Sequence, residues 1–77
     1  MQLNEMKKGA VGRVTAISAA DPLIEAKLRE IGFAETDAIE LVHIGPLAKT
    51  PVCVRLNRTL IALRTDEAKA IEVELDR

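Results

Sequence analysis

The chain has 77 residues, and its 11 basic and 12 acidic side chains leave a net charge of −1. At this length roughly 60% of the unfolded surface can be buried, which predicts one small domain with a modest core, and 48% hydrophobic residues argue against a disordered segment. The charges are spread along the chain, which argues against nucleic-acid binding, and no stretch approaches the ~20 apolar residues of a membrane helix.

In chain order, "KKGAVGRVTAI" predicts a strand over 11–18, with Val14 between Arg13 and Thr15, and Gly9 and Gly12 permitting a tight approach or a bulge. The segment "AADPLIEAKLREIGF" carries helix signals. Asp21 suits the N-cap, Pro22 the first turn and Gly32 the stop. Ile24, Leu28 and Ile31 recur at spacings of four and three and make one apolar stripe, which a short helix must dock on a sheet to persist. "AIELVHI" (38–44) reads as a strand of mixed facing, and "GPLAKTP" (45–51) as a loop punctuated by Gly45, Pro46 and Pro51.

"VCVRL" (52–56) and "TLIALR" (59–64) flank Asn57-Arg58. A two-residue turn there sets Leu56 opposite Thr59, Val54 opposite Ile61 and Val52 opposite Leu63, so the apolar partners share a face. In a type I′ turn Asn57 tolerates positive φ, whereas Arg58 costs energy for want of glycine. "TDEAKAI" reads as one helical turn and "IEVEL" as a last alternating strand. The expected fold is mainly β: a small closed or partly open barrel of five short strands, with a helix after the first and a helical turn before the last.

The sequence contains no phosphate-binding loop, dinucleotide fingerprint, zinc-spaced cysteine set or nucleophile elbow. Its single cysteine forms no internal disulfide, and Met1 to Gly9 is polar and basic, so a reduced, cytoplasmic setting is expected. His43 and Cys53 are the only candidates for a metal or nucleophile pair. One register sets them directly opposite. A one-residue shift sets them on opposite faces, buries Ile39 and Leu41 with Val52 and Val54, and is preferred because it buries more apolar surface. Even paired, they lack third and fourth protein ligands, so Cys53 is read as a small structural residue and His43 as a rim residue. Asp66, Glu67, Glu72, Glu74 and Asp76 read either as a hard-cation site or, preferably, as helix N-terminal acids and the outward face of a strand. No catalytic residue, cofactor site or established metal site is assigned.

Taken together and in order, "LNEMKKGAVGRV", "KLREIGF", "IELV", "GPLAKTP" and above all "LIALRTDEAKAIEV" resemble the FeoA family of bacterial ferrous iron uptake. More remotely, the chain is similar to the C-terminal domain of diphtheria-toxin-repressor-type metalloregulators. The resemblance covers nearly the whole chain, and Leu63-Arg64 followed by Glu67-Ala68 and Ile71 carries most of it. Departures are Lys27-Leu28 where the family usually has Arg-Leu, Glu35-Thr36 for Pro-Gly, Ala48-Lys49-Thr50 in a gap that often holds Gly-Asp, and Arg58 for the hairpin glycine.

The resemblance implies an SH3-like barrel that binds the cytoplasmic part of the FeoB-type membrane GTPase transporter and meets the membrane only through that partner. Alternatives are a regulatory module acting on a metal-dependent repressor and a direct ferrous-ion binder. Candidate partner contacts are Leu28 and Ile31 on the helix, Pro46 and Leu47 in the loop, and Arg64, which otherwise pairs with Glu67 or caps carbonyls. An open barrel edge leaves self-association as a further possibility.

Overall fold

The structure, a computed structural model, describes residues 1–47 and 50–76. An opening 3₁₀ turn, Leu3–Glu5, is followed by β1 (Val11–Ile17), α1 (Pro22–Ile31), β2 (Ala38–Leu47), β3 (Thr50–Leu56), β4 (Thr59–Leu63), α2 (Thr65–Lys69) and β5 (Ile71–Leu75). The five strands form one antiparallel sheet in the order β4-β3-β2-β1-β5, as the mainly β expectation requires. β4 and β5 are its two edges, and α2 packs against the opening turn, β3 and β5.

Outside the register shifts in β1 and β2 the strands send alternate residues inwards, and the core is almost wholly aliphatic. Leu3, Leu28, Val54 and Ile71 have no exposed surface, and Phe33, the sole aromatic residue, is 1% exposed. Fully burying side chains of this size contributes roughly 1.5–3 kcal/mol each before entropy is counted. Gly12 is needed for close approach: a Cβ there would lie 2.6 Å from the Glu74 carbonyl oxygen across the β1–β5 pair. A register shift between Val14 and Ala16 then lets both Val14 and Ile17 face the core.

α1 starts and stops where its sequence signals put it. The Leu23 N–H donates to the Asp21 carboxylate at 2.9 Å, Pro22 occupies the first turn, and Gly32 ends the helix at φ +127°. Its apolar stripe is narrower than the spacing predicts. Leu28 is fully buried, Ile24 is half-buried and packs against the core, and Ile31 is 40% exposed.

The 45–51 loop is corrected. β2 continues to Leu47 and β3 begins at Thr50, with Leu47 paired to Thr50; residues 48 and 49 of that segment lie outside the described residues. The prolines are accommodated because the β2–β3 register shifts between Ile44 and Leu47, which relaxes the ladder that proline cannot donate to. Gly45 makes the shift possible, since a Cβ there would collide with the Thr50 carbonyl.

Candidate functional site: the outer face of the β2–β3–β4 sheet

The β3–β4 hairpin has the register that alternation predicts: Leu56 pairs with Thr59, Val54 with Ile61 and Val52 with Leu63. Asn57 and Arg58 both have positive φ, 52° and 80°, as a type I′ turn demands. Since Ile61 and Leu63 point inwards, Leu60 and Ala62 point outwards, and Leu60 is 60% exposed.

Two rows of side chains cross this outer face. One runs Leu60, Arg55, Glu40, with an Arg55–Glu40 ion pair at 2.9 Å. The other runs Ala62, Cys53, His43. His43 is therefore paired directly with Cys53, and the preferred expectation that they lie on opposite faces is corrected. The cause is a register shift between Leu41 and His43. Leu41 pairs with Val54 on one side of it and Ile44 with Val52 on the other, so inward residues keep their burial while His43 stays outside. The pair supplies two potential ligands, and among the described residues no group of three or more His, Cys, Asp or Glu side chains is placed to hold a metal ion.

The C-terminal acids disperse. Glu72 pairs with the N-terminal ammonium at 3.4 Å, and the Asp66 carboxylate accepts from the Glu67 N–H at 2.9 Å. Glu67 turns inwards and is 5% exposed. Its carboxylate accepts from the Arg64 backbone N–H at 2.8 Å and forms an ion pair with Lys27 of α1. Burial pushes its pKa up, but the Lys27 ammonium and the Arg64 amide outweigh this and hold the carboxyl below its ordinary range. The Lys27–Glu67 pair thus ties α1 to α2. The expected Arg64–Glu67 pairing exists through the Arg64 main chain, not its guanidinium, which remains at the surface.

Of the candidate contact residues, Leu28 has no exposed surface and packs in the core, so no partner can reach it. Ile31 sits on the separate element α1. Pro46 and Leu47 end β2, and Leu47 is 77% exposed. Arg64 follows Leu63, whose partner Val52 lies two residues beyond Thr50, itself paired with Leu47. Pro46, Leu47 and Arg64 therefore share one end of the sheet. Leu60 was missed, although the hairpin register itself turns it outwards.

The turn after α1 carries a strained residue. Thr36 has φ +76°, where a β-branched side chain is a genuine outlier. Its N–H donates to the Val14 carbonyl at 2.8 Å, and its carbonyl accepts from the Arg13 guanidinium at 3.0 Å. Beside it, Glu35 makes a two-bonded pair with Arg29, at 2.9 and 3.0 Å. That guanidinium and the residue's own N–H draw the Glu35 carboxyl down to about 2.

Comparison with known proteins places this architecture. The FeoA domain profile matches residues 1–75. A Campylobacter jejuni protein provisionally described as Fe(2+) transport protein A is 33% identical over 75 residues, which are 97% of this chain and 99% of that one. Among solved structures, Stenotrophomonas maltophilia FeoA, a zinc complex described as a procaryotic SH3 domain protein, superposes with a TM-score of 0.84. It shares 32% identity over 96% of this chain and 89% of its own. Chlorobium tepidum FeoA gives 0.85 at 31% identity, over 97% of this chain and 70% of that one. A manganese-dependent transcriptional repressor gives 0.86 at 26% identity, over 95% of this chain but only 40% of the repressor. The five-stranded sheet is accordingly SH3-like.

Proposed function

Because the chain belongs to the FeoA family, we propose that it is a non-catalytic accessory protein of bacterial ferrous iron uptake. In this reading it works in the cytoplasm as one domain, takes no nucleic acid, and binds the cytoplasmic part of an FeoB-type transporter to modulate its assembly or activity. Among the described residues no helix is long and apolar enough to cross a membrane, so contact with the bilayer would come through the partner. The observation that carries the proposal is the family match over residues 1–75. The sheet end bearing Pro46, Leu47 and Arg64 supports it, since Leu47 is 77% exposed and gains by leaving water.

Co-purification with the full-length transporter and with its isolated cytoplasmic domains is the test. Association with either, lost in Leu47→Asp, is the expected result. No association with either, together with unaltered ferrous uptake on deletion, would sink the proposal.

The repressor likeness supports a second reading, in which the same domain acts on a separate metal-dependent DNA-binding protein. Co-purification with such a repressor in place of the transporter would favour it. Direct ferrous binding would rest on His43 and Cys53, and anaerobic calorimetry showing no heat would remove it.

A further inference from the structure

β4 is an edge strand, and its outer rim is open. A two-residue turn makes Leu56–Thr59 a hydrogen-bonded pair, and antiparallel pairs alternate, so Thr59, Ile61 and Leu63 spend their main-chain groups on β3. The N–H and C=O of Leu60 and Ala62 then point away from β3, to the side on which β4 has no neighbouring strand among the described residues. Such a rim is a template for another strand. Proteins usually blunt it with proline, internal charge or a bulge, yet "TLIAL" has none of these.

The rim has a sign. Arg58 opens the strand and Arg64 follows its end; both are exposed, and among the described residues neither is in an ion pair. A second copy is the obvious occupant, but the two-fold antiparallel register that overlaps the whole strand sets Ile61 against Ile61 and Arg58 against Arg64 at both ends. Four like charges then oppose the pairing. A segment with acids at its ends turns the same two positions into attraction.

We propose that the β4 edge is a docking site for an extended peptide segment of a partner protein, apolar in its centre and acidic at both ends, added as a sixth strand. Main-chain bonds to Leu60 and Ala62 hold it, the outward Leu60 side chain packs on its alternate residues, and Arg58 and Arg64 select its charge and register. The site is independent of which protein carries the segment, so the transporter can fail as partner while the edge still binds.

The test uses the full chain, isotope-labelled, with two synthetic peptides of alternating valine and threonine, one flanked by glutamates and the other by lysines. The glutamate peptide is expected to bind about tenfold tighter at low salt, as two exposed charge pairs turned from repulsion to attraction imply. It should also slow exchange of the Leu60 and Ala62 amides. Ala62→Pro deletes one outward N–H, leaves the β3 ladder intact and should abolish binding. Arg58→Glu with Arg64→Glu should reverse the preference even if the proline variant fails to fold. Equal binding of the two peptides, no binding, shifts confined to other surfaces, or concentration-dependent pairing of the chain with itself through β4 would each overturn the proposal.

Discussion

Replacing Thr36 with glycine is expected to stabilise the fold, against the usual direction of a glycine substitution. Thr36 holds φ +76°, and its exposed side chain makes none of the hydrogen bonds of the turn. The two bonds it does make use its main-chain N–H and C=O, and both survive in Thr36→Gly. An L-residue in the left-handed region costs about 1–2 kcal/mol, and a β-branched one sits at the upper end. Glycine's extra freedom in the unfolded chain returns about 0.5–1 kcal/mol of that. The net gain is about 1 kcal/mol, or about 4–8 °C in Tm for a domain of this size. The chain has no Trp or Tyr, so the transition is followed by circular dichroism in urea and on heating. Gly32→Ala is the control. Gly32 has open space around it but φ +127°, so that variant should lose about 1 kcal/mol or more. A Thr36→Gly variant no more stable than the parent, with the control behaving as expected, would refute the strain assigned to this turn.

Lys27→Ala leaves the Glu67 carboxylate buried without its ion partner. It should cost about 1–2 kcal/mol at neutral pH, less than a fully buried pair because Lys27 is itself 58% exposed. The urea midpoint reports this, and the double variant Lys27→Ala/Glu67→Gln should recover part of the loss. Glu35 sits at about 2 in the folded state against an ordinary 4.5. Its contribution is therefore present above pH 4.5 and lost as pH falls towards 2. Glu35→Gln should flatten the decline in stability across that window, and an unchanged acid profile would contradict the Arg29–Glu35 pairing.

The hairpin was legible because period-two alternation and a two-residue turn leave one register that hides Val52, Val54, Ile61 and Leu63 together. α1 was legible from Asp21, Pro22 and Gly32, whose roles are local. The β2–β3 pairing was not, since each candidate register holds for only part of the ladder. Leu41 and Ile44 both face inwards at a spacing of three, which period-two reading cannot satisfy without a bulge, and the bulge is what puts His43 opposite Cys53. The same spacing in "LVHI" was the available signal. Leu28 illustrates a different limit: a helical stripe shows which residues share a face, but how much of that face reaches the core depends on how the helix crosses the sheet. The Lys27–Glu67 pair joins residues forty positions apart, and nothing local in either segment announces it.

The proposed function turns on what touches the exposed end of the sheet in the cell. A photo-cross-linking side chain placed at Leu47, in cells growing on ferrous iron, identifies that neighbour directly. The captured protein is expected to be the FeoB-type transporter, joined through its cytoplasmic part. Capture of a DNA-binding repressor, or no capture in cells whose ferrous uptake is unaffected by deleting this chain, would contradict it.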